Sequence, residues 1–372
     1  MPDWQSLISA EFPALERWTF LNTASFGQVP RCAVAAMERH LAHRDELACH
    51  DFLDWFEDHG ALRPKLARLI NASGEDIAYT PNAASAMAML MHGIDWREGD
   101  EVLTFEDEFP IQVYAPQARG VKLVQAPWPE LLERIGPRTR LIAVSMMSYT
   151  NGFLAPCAEI AAAARKAGVL FYVDGTQGVG ALRFDFGAIQ PDMLAVDAYK
   201  WMMTPNGVSF IAVHPRLRPK LAPLTVGWRS DRGWRDVANL NHGAPRFVES
   251  AEKYEGGMLP SLQLYALDAV VDMMLKLTPE LIEKRVLDLA AQSRAILERH
   301  GGVIAWPDSP IQAACFQGRD AVALAKALHQ RGILASARHG HLRISTHFYN
   351  NERDLERLDE ALNDRSLTVA AR

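Results

Sequence analysis

Two residues near the middle of the chain have the types and the spacing for chemistry: Asp174 and Lys200. Each ends a short apolar run. Phe171-Tyr172-Val173 leads into Asp174-Gly175, and Met193-Leu194-Ala195-Val196 leads into Asp197-Ala198-Tyr199-Lys200. Runs of this kind predict buried parallel strands, and the carboxyl ends of such strands form the edge where ligands sit in open α/β sheets. A lysine delivered there can form a Schiff base with an aldehyde. A carboxylate from the neighbouring strand end can keep a pyridine nitrogen protonated, which makes the ring an electron sink. The pair therefore suits pyridoxal phosphate, and Gln177, just past the first strand, can donate to the ring hydroxyl. Taken singly, Asp174 reads better as a turn cap and Lys200 as a solvated surface lysine.

Several elements must position these two. Ile77–Thr80 predicts a strand, and Pro81-Asn82-Ala83-Ala84-Ser85 turns into a helix over Ala86–His92. A small-residue turn at a helix N-terminus presents backbone N–H groups to an anion, and capping by Asn82 or Ser85 is compatible with that. Further strands are expected at Glu101–Thr104, Val121–Gln125, Leu141–Ser145 and Gly207–Val213, with an Ala-rich helix over 156–167. This alternation predicts a doubly wound sheet from about 77 to 213. Residues 31–70 carry helical spacing, with Pro64 near a helix start. Leu259 to His300 reads as one long helical stretch, His214 to Pro245 as loops, and the remainder as a small α+β domain.

The chain has 372 residues and a formal charge of −6. It has no basic run, so nucleic acid is not an expected partner. No apolar stretch is long enough to span a bilayer, and the start lacks the basic and apolar regions of a secretory signal. Cys32, Cys49, Cys157 and Cys315 are scattered, without the spacing of a disulfide framework or a zinc site. A reducing cytoplasm is the expected setting. His40, His43, His50 and His59 lack a carboxylate-histidine motif, and no metal is expected there or at His339, His341 and His347.

The motifs Leu21-Asn22-Thr23-Ala24-Ser25-Phe26-Gly27, Thr80–Ser85, Val173-Asp174-Gly175-Thr176-Gln177, Asp197-Ala198-Tyr199-Lys200-Trp201, Tyr254-Glu255-Gly256-Gly257-Met258 and Arg343–Asn350 occur in one order along nearly the whole chain. In these the sequence resembles the class V aminotransferases among the fold-type I pyridoxal-phosphate enzymes, a group with cysteine desulfurases, selenocysteine lyases and isopenicillin N epimerase. The resemblance implies a large α/β domain over 21–250 with a mostly parallel seven-stranded-type sheet, and a small α+β domain from 1–20 and 251–372. It implies pyridoxal phosphate on Lys200, with Asp174 at the ring nitrogen and Gln177 and Asn151 on the ring-hydroxyl side. Phe109 stacks on the ring, and Tyr199 with the turn Ala83, Ala84 and Ser85 holds the phosphate. Gly257 and Met258 reach a neighbouring subunit's phosphate, which implies a homodimer. Arg343 takes the substrate carboxylate, with Asn22 at the site mouth. The hydroxyl residues common in the family are replaced by Ala83 and Ala84.

An amino-acid substrate follows from the same resemblance. Transamination is the first expectation, then a C–S or β-elimination lyase acting on a sulfur-containing amino acid, then an isopenicillin N epimerase-like racemase. A lapsed Rossmann-like binding module is the non-enzyme alternative. A persulfide-forming desulfurase is disfavoured: Gly332–Leu342, before Arg343, contains no cysteine, and Phe109 stands where desulfurases use histidine. Trp228 and Arg229 read equally as substrate-bordering or as packing residues.

Overall fold

The strands that end in Asp174 and Lys200 lie side by side in the middle of one sheet. The computed structural model describes residues 2–364; Met1 and residues 365–372 of the expected small domain lie outside the described residues. After β1 (Thr19–Phe20) come β2 (Ile77–Thr80), β3 (Glu101–Phe105), β4 (Lys122–Ala126), β5 (Thr139–Ser145), β6 (Leu170–Asp174), β7 (Met193–Asp197) and β8 (Ser209–Val213). These last seven form a sheet in the order β2-β8-β7-β6-β5-β3-β4. Neighbours run parallel except β8, which is antiparallel to both β2 and β7. The chain between β7 and β8 holds no helix, so it returns as an antiparallel neighbour and not as a crossover.

Strand periodicity divides the core. Ile142, Val144, Phe171, Val173, Leu194 and Val196 pack into one apolar cluster, while Leu141, Ala143, Tyr172, Met193 and Ala195 pack into another. Consecutive residues point to opposite faces, so the central strands are buried on both sides. At the outer strand, the Tyr79 N–H donates to the buried Glu255 carboxylate at 3.0 Å, and Arg63 pairs with the same carboxylate at 2.7 Å. The sheet edge is thereby covered by the segment that leads to Gly257.

The small sheet has the order β12-β13-β10-β9, from β9 (Gly302–Ile304), β10 (Ile311–Phe316), β12 (Ser336–Arg338) and β13 (His341–Ser345). The short β11 (Ile333–Leu334) pairs in parallel with β1. Asn22 then bridges to Ser345, so the N-terminal segment runs against the small sheet before entering the large domain.

Helix ends differ from the sequence reading in four places. The helix expected over Ala86–His92 spans Ala83–Gly93, so Ala83, Ala84 and Ser85 form its first turn. Residues 31–70 form two helices, Arg31–Leu47 and Phe52–Ile70, separated where Ala48 and Cys49 take left-handed φ of 50° and 62°. Pro64 lies inside the second helix and not near a start. The expected long stretch from 259 is also two helices, Ser261–Leu277 and Pro279–Arg299. Thr278 caps the second at Leu281, and Pro279 occupies the first helical position, where its missing N–H costs nothing. The first of these packs against the two helices of residues 31–70. Among the described residues no helix is long and apolar enough to cross a membrane.

Gly27 is where the entry segment touches the Lys200 loop. Its N–H donates to the Tyr199 carbonyl at 2.9 Å, and an added Cβ would lie 2.0 Å from the Lys200 carbonyl oxygen. Both neighbours are backbone and cannot swing aside. Gly27→Ala is expected to cost about 1–3 kcal/mol, read as a lower urea midpoint; an unchanged midpoint would mean that this contact is not a constraint.

Candidate active site

Parallel pairing sets the frame. β6 and β7 run in register with Asp174 opposite Ala195, so Asp174 and the Asp197-to-Lys200 turn emerge at the same sheet edge. Phe109, Ile111, Ser145, Tyr149, Asp174, Thr176, Gln177, Asp197, Tyr199 and Lys200 line one small cavity there.

Lys200 is only 7% exposed and has no salt bridge among the described residues. Its Nζ lies 5.4 Å from the Phe109 ring centre and 5.5 Å from that of Tyr199. Burial pushes its ammonium down to about 8, against the pull of Asp174; Arg343 and Arg338 push the same way as burial. The amine is therefore partly neutral near neutral pH and can act as a nucleophile.

Asp174 is oriented from both sides. One carboxylate oxygen accepts the Thr176 N–H at 2.9 Å, and the other accepts from the Gln112 amide at 3.3 Å. Gln112 also reaches Ser145 Oγ at 3.4 Å, and the Ser145 hydroxyl donates to the buried Glu108. Burial raises the Glu108 carboxyl to about 7. Gln177 accepts from Trp201 Nε1 and donates to the Ala24 carbonyl, both at 2.9 Å; one amide N–H remains for a ligand.

The turn before helix Ala83–Gly93 is already hydrogen-bonded within the chain. The Ala83 N–H donates to Asp197 at 2.7 Å, and the Ser85 N–H donates to Asn82 at 2.9 Å. The Ser85 hydroxyl also donates to Asn82, at 3.1 Å. Ala84 is exposed. Burial, and then the charge of Asp174, raise Asp197 to about 6.

Arg343 is 1% exposed. Its Nε donates to Ser336 Oγ at 3.1 Å, its Nη2 to Ser25 Oγ at 2.8 Å, and its Nη1 to the Tyr149 carbonyl. No carboxylate pairs with it among the described residues, and burial followed by the charge of Arg338 pushes it down to about 9. Asn22 acts through Ser25: its Oδ1 accepts the Ser25 hydroxyl at 2.8 Å.

Two expected cofactor contacts lie elsewhere in the single chain. Asn151 lines a neighbouring cavity with Trp128, Phe153 and Trp306, and its side chain accepts the Phe153 N–H at 2.9 Å. Met258 is 59% exposed, and Gly257 offers its carbonyl to Arg229 at 3.2 Å. Arg229 is buried against Glu255 and Glu252, and Trp228 packs on Phe56 and Trp234, so both are packing residues. Sequence reasoning missed Gln112, Glu108 and Ser25. Ser25 sits inside the quoted Asn22–Gly27 motif, and Gln112 follows Phe109 by one turn, so spacing offered a signal for both. Glu108 accepts the Phe109 N–H at 2.8 Å and meets the Ser145 N–H and hydroxyl on β5.

A flat aromatic aldehyde with a basic ring nitrogen fits this donor set. The amine is buried and unpaired, a buried carboxylate lies on the same cavity, and aromatic faces form its walls. The sequence model described as "Aminotransferase class-V" matches residues 19–358. Isopenicillin N epimerase from Streptomyces clavuligerus is 29% identical over 92% of this chain and 93% of that protein. A "Probable cysteine desulfurase" from Aeropyrum pernix is 26% identical over 96% and 97%. Among solved structures, a C-DES variant with glycine covalently linked to its PLP cofactor superposes with a TM-score of 0.87 at 22% identity, covering 98% of this chain and 100% of that one.

The lowered lysine has a testable consequence. Attachment of an aldehyde needs the neutral amine, so uptake of pyridoxal phosphate by cofactor-free protein should rise with pH and level off above about 8. Borohydride reduction and peptide mapping should place the pyridoxyl group on Lys200. A midpoint near that of an exposed lysine, about 10.4, or a label on Lys166 or Lys220, would refute the assignment.

Proposed function

The chain belongs to the class V aminotransferase family, pyridoxal-phosphate-dependent enzymes, and we propose that it acts on an amino acid through Lys200, transferring the amino group. The observation that carries this reading is the buried, unpaired Lys200 amine on the same cavity as Asp174. Lys200 would hold the cofactor covalently, Asp174 would face its ring nitrogen, and the remaining Gln177 N–H would face the ring hydroxyl. Phe109 would stack on the ring. Tyr199 and the turn at Ala83–Ser85 would lie at the phosphate. Bound there, the group supplies an electron sink that acidifies the substrate Cα–H.

The chain's own residues supply the rest. Arg343 offers a guanidinium fork to the substrate carboxylate, which orients Cα. Lys200 Nζ would take the Cα proton, and its lowered pKa favours the neutral form that does so. Asp174 is held by Thr176 and Gln112. The atom to which Lys200 hands the proton decides the outcome.

A second reading, epimerisation, is supported by the 29% identity to isopenicillin N epimerase. It needs a proton donor besides Lys200. Tyr149 is the candidate, since it lines the cavity and its hydroxyl lies 3.3 Å from His339 Nε2. Sulfur transfer through an enzyme persulfide fits poorly. Burial raises the thiols of Cys32 and Cys157 to about 12, whereas a persulfide route needs a thiolate. Cys315 is exposed on β10 and does not line the Lys200 cavity.

Mass spectrometry after incubation with a panel of amino acids and keto acids separates these outcomes. A keto acid with an aminated acceptor supports transamination, an inverted amino acid supports epimerisation, and a deaminated product with a released thiol supports elimination. In the same assay Arg343→Ala should weaken substrate binding by about 2–5 kcal/mol. An unchanged binding midpoint would place Arg343 outside the substrate site.

The proposal includes a homodimer with shared sites. Met258 is exposed and Gly257 half-buried, and this segment would reach another subunit's phosphate site, with glycine leaving the backbone accessible. Light scattering should give a dimer at assay concentration; an active monomer would overturn this part.

A further inference from the structure

The small sheet presents two arginines to Ser25, more positive charge than one carboxylate needs. In the β12–β13 pairing, Ser336 lies opposite Arg343 and Arg338 opposite His341. Alternation therefore puts Arg338 and Arg343 on the same face as diagonal neighbours. Both point at one hydroxyl: Arg343 Nη2 lies 2.8 Å and Arg338 Nη2 3.5 Å from Ser25 Oγ. Ser25 donates its proton to Asn22, so only lone pairs face the two guanidinium groups.

Like charges side by side on a sheet face oppose folding, and nothing offsets them here. Neither arginine has a salt bridge among the described residues, and Arg338 helps depress both Arg343 and Lys200. The arrangement has the form of an anion site. The donor inventory indicates how many anions it takes. Arg343 spends three N–H groups on Ser336, Tyr149 and Ser25, which leaves one on each terminal nitrogen, a bidentate fork for one carboxylate. Arg338 spends one on the Ala337 carbonyl at 2.7 Å and one on Ser25. Its Nε and the rest of its terminal nitrogens remain for a second anion. Arg338 is half-buried, towards the mouth, where Tyr149 and His339 meet.

We propose that Arg338 is a second anion-binding side chain of this site, and that the substrate is an amino acid bearing a carboxylate at the end of its side chain. The proposal rests on the reading of Arg343 as the α-carboxylate anchor. Both carboxylates would reach the enzyme through arginines that diverge from Ser25, one buried and one at the rim.

The test is calorimetric titration of the holoenzyme with glutarate and succinate against butyrate, in the parent protein and in Arg338→Gln. At least one dicarboxylate should bind about tenfold tighter than butyrate, and Arg338→Gln should abolish that preference while butyrate affinity stays within about twofold. Equal affinity for mono- and dicarboxylates in the parent would overturn the proposal. Parallel weakening of both in Arg338→Gln would also overturn it, because the two arginines would then share one carboxylate. If no carboxylate binds at all the proposal falls as well, and pyridoxyl labelling of Lys200 on the same sample shows whether the wider reading has fallen with it.

Discussion

The Gln177 carboxamide is the tie on which the site depends. Its oxygen accepts from Trp201 and its nitrogen donates to Ala24, both at 2.9 Å and both buried. Through one side chain it joins the loop after Asp174, the loop after Lys200 and the entry segment that carries Asn22 and Ser25. A buried amide of this kind is costly to leave half-satisfied, so the three segments hold one mutual arrangement. His347 adds a fourth: its Nε2 meets the Trp201 carbonyl at 2.8 Å, and burial keeps the ring neutral, with its pKa down to about 4. The strand bearing Arg343 is thus fixed relative to Lys200.

Asp174, Asp197 and Lys200 line the cavity at the sheet edge, while Arg343 and Arg338 lie where the small sheet meets the entry segment. Burial raises Asp197 and Glu108 towards neutrality and lowers Lys200 and Arg343. Every one of these shifts has desolvation as its largest cause, and each marks a group that gains from a ligand of opposite charge.

Departures from the family pattern narrow the chemistry. Phe109 offers a ring face but no proton, and the segment before Arg343 is built as β11, β12 and a turn at His339-Gly340, with no thiol.

Much of this was legible in the sequence because it is local. Short apolar runs ending in Asp174 and Asp197 specify buried strands, since these depend on a few consecutive residues, whereas the helix expected from Ala86 begins three residues earlier, after Asn82. The tertiary structure alone decided what depends on register and on distant segments meeting. Arg338 and Arg343 share a face only because β12 pairs with β13 one way and not shifted by a residue. Glu108 reaches Asp174 only through Ser145 and Gln112, which lie on other elements. Ser25 becomes the meeting point of two arginines more than 300 positions away only because the entry segment is bridged to Ser345. Burial, which sets the protonation of Lys200 and Arg343, is likewise a property of the packed chain, and no residue type carries it.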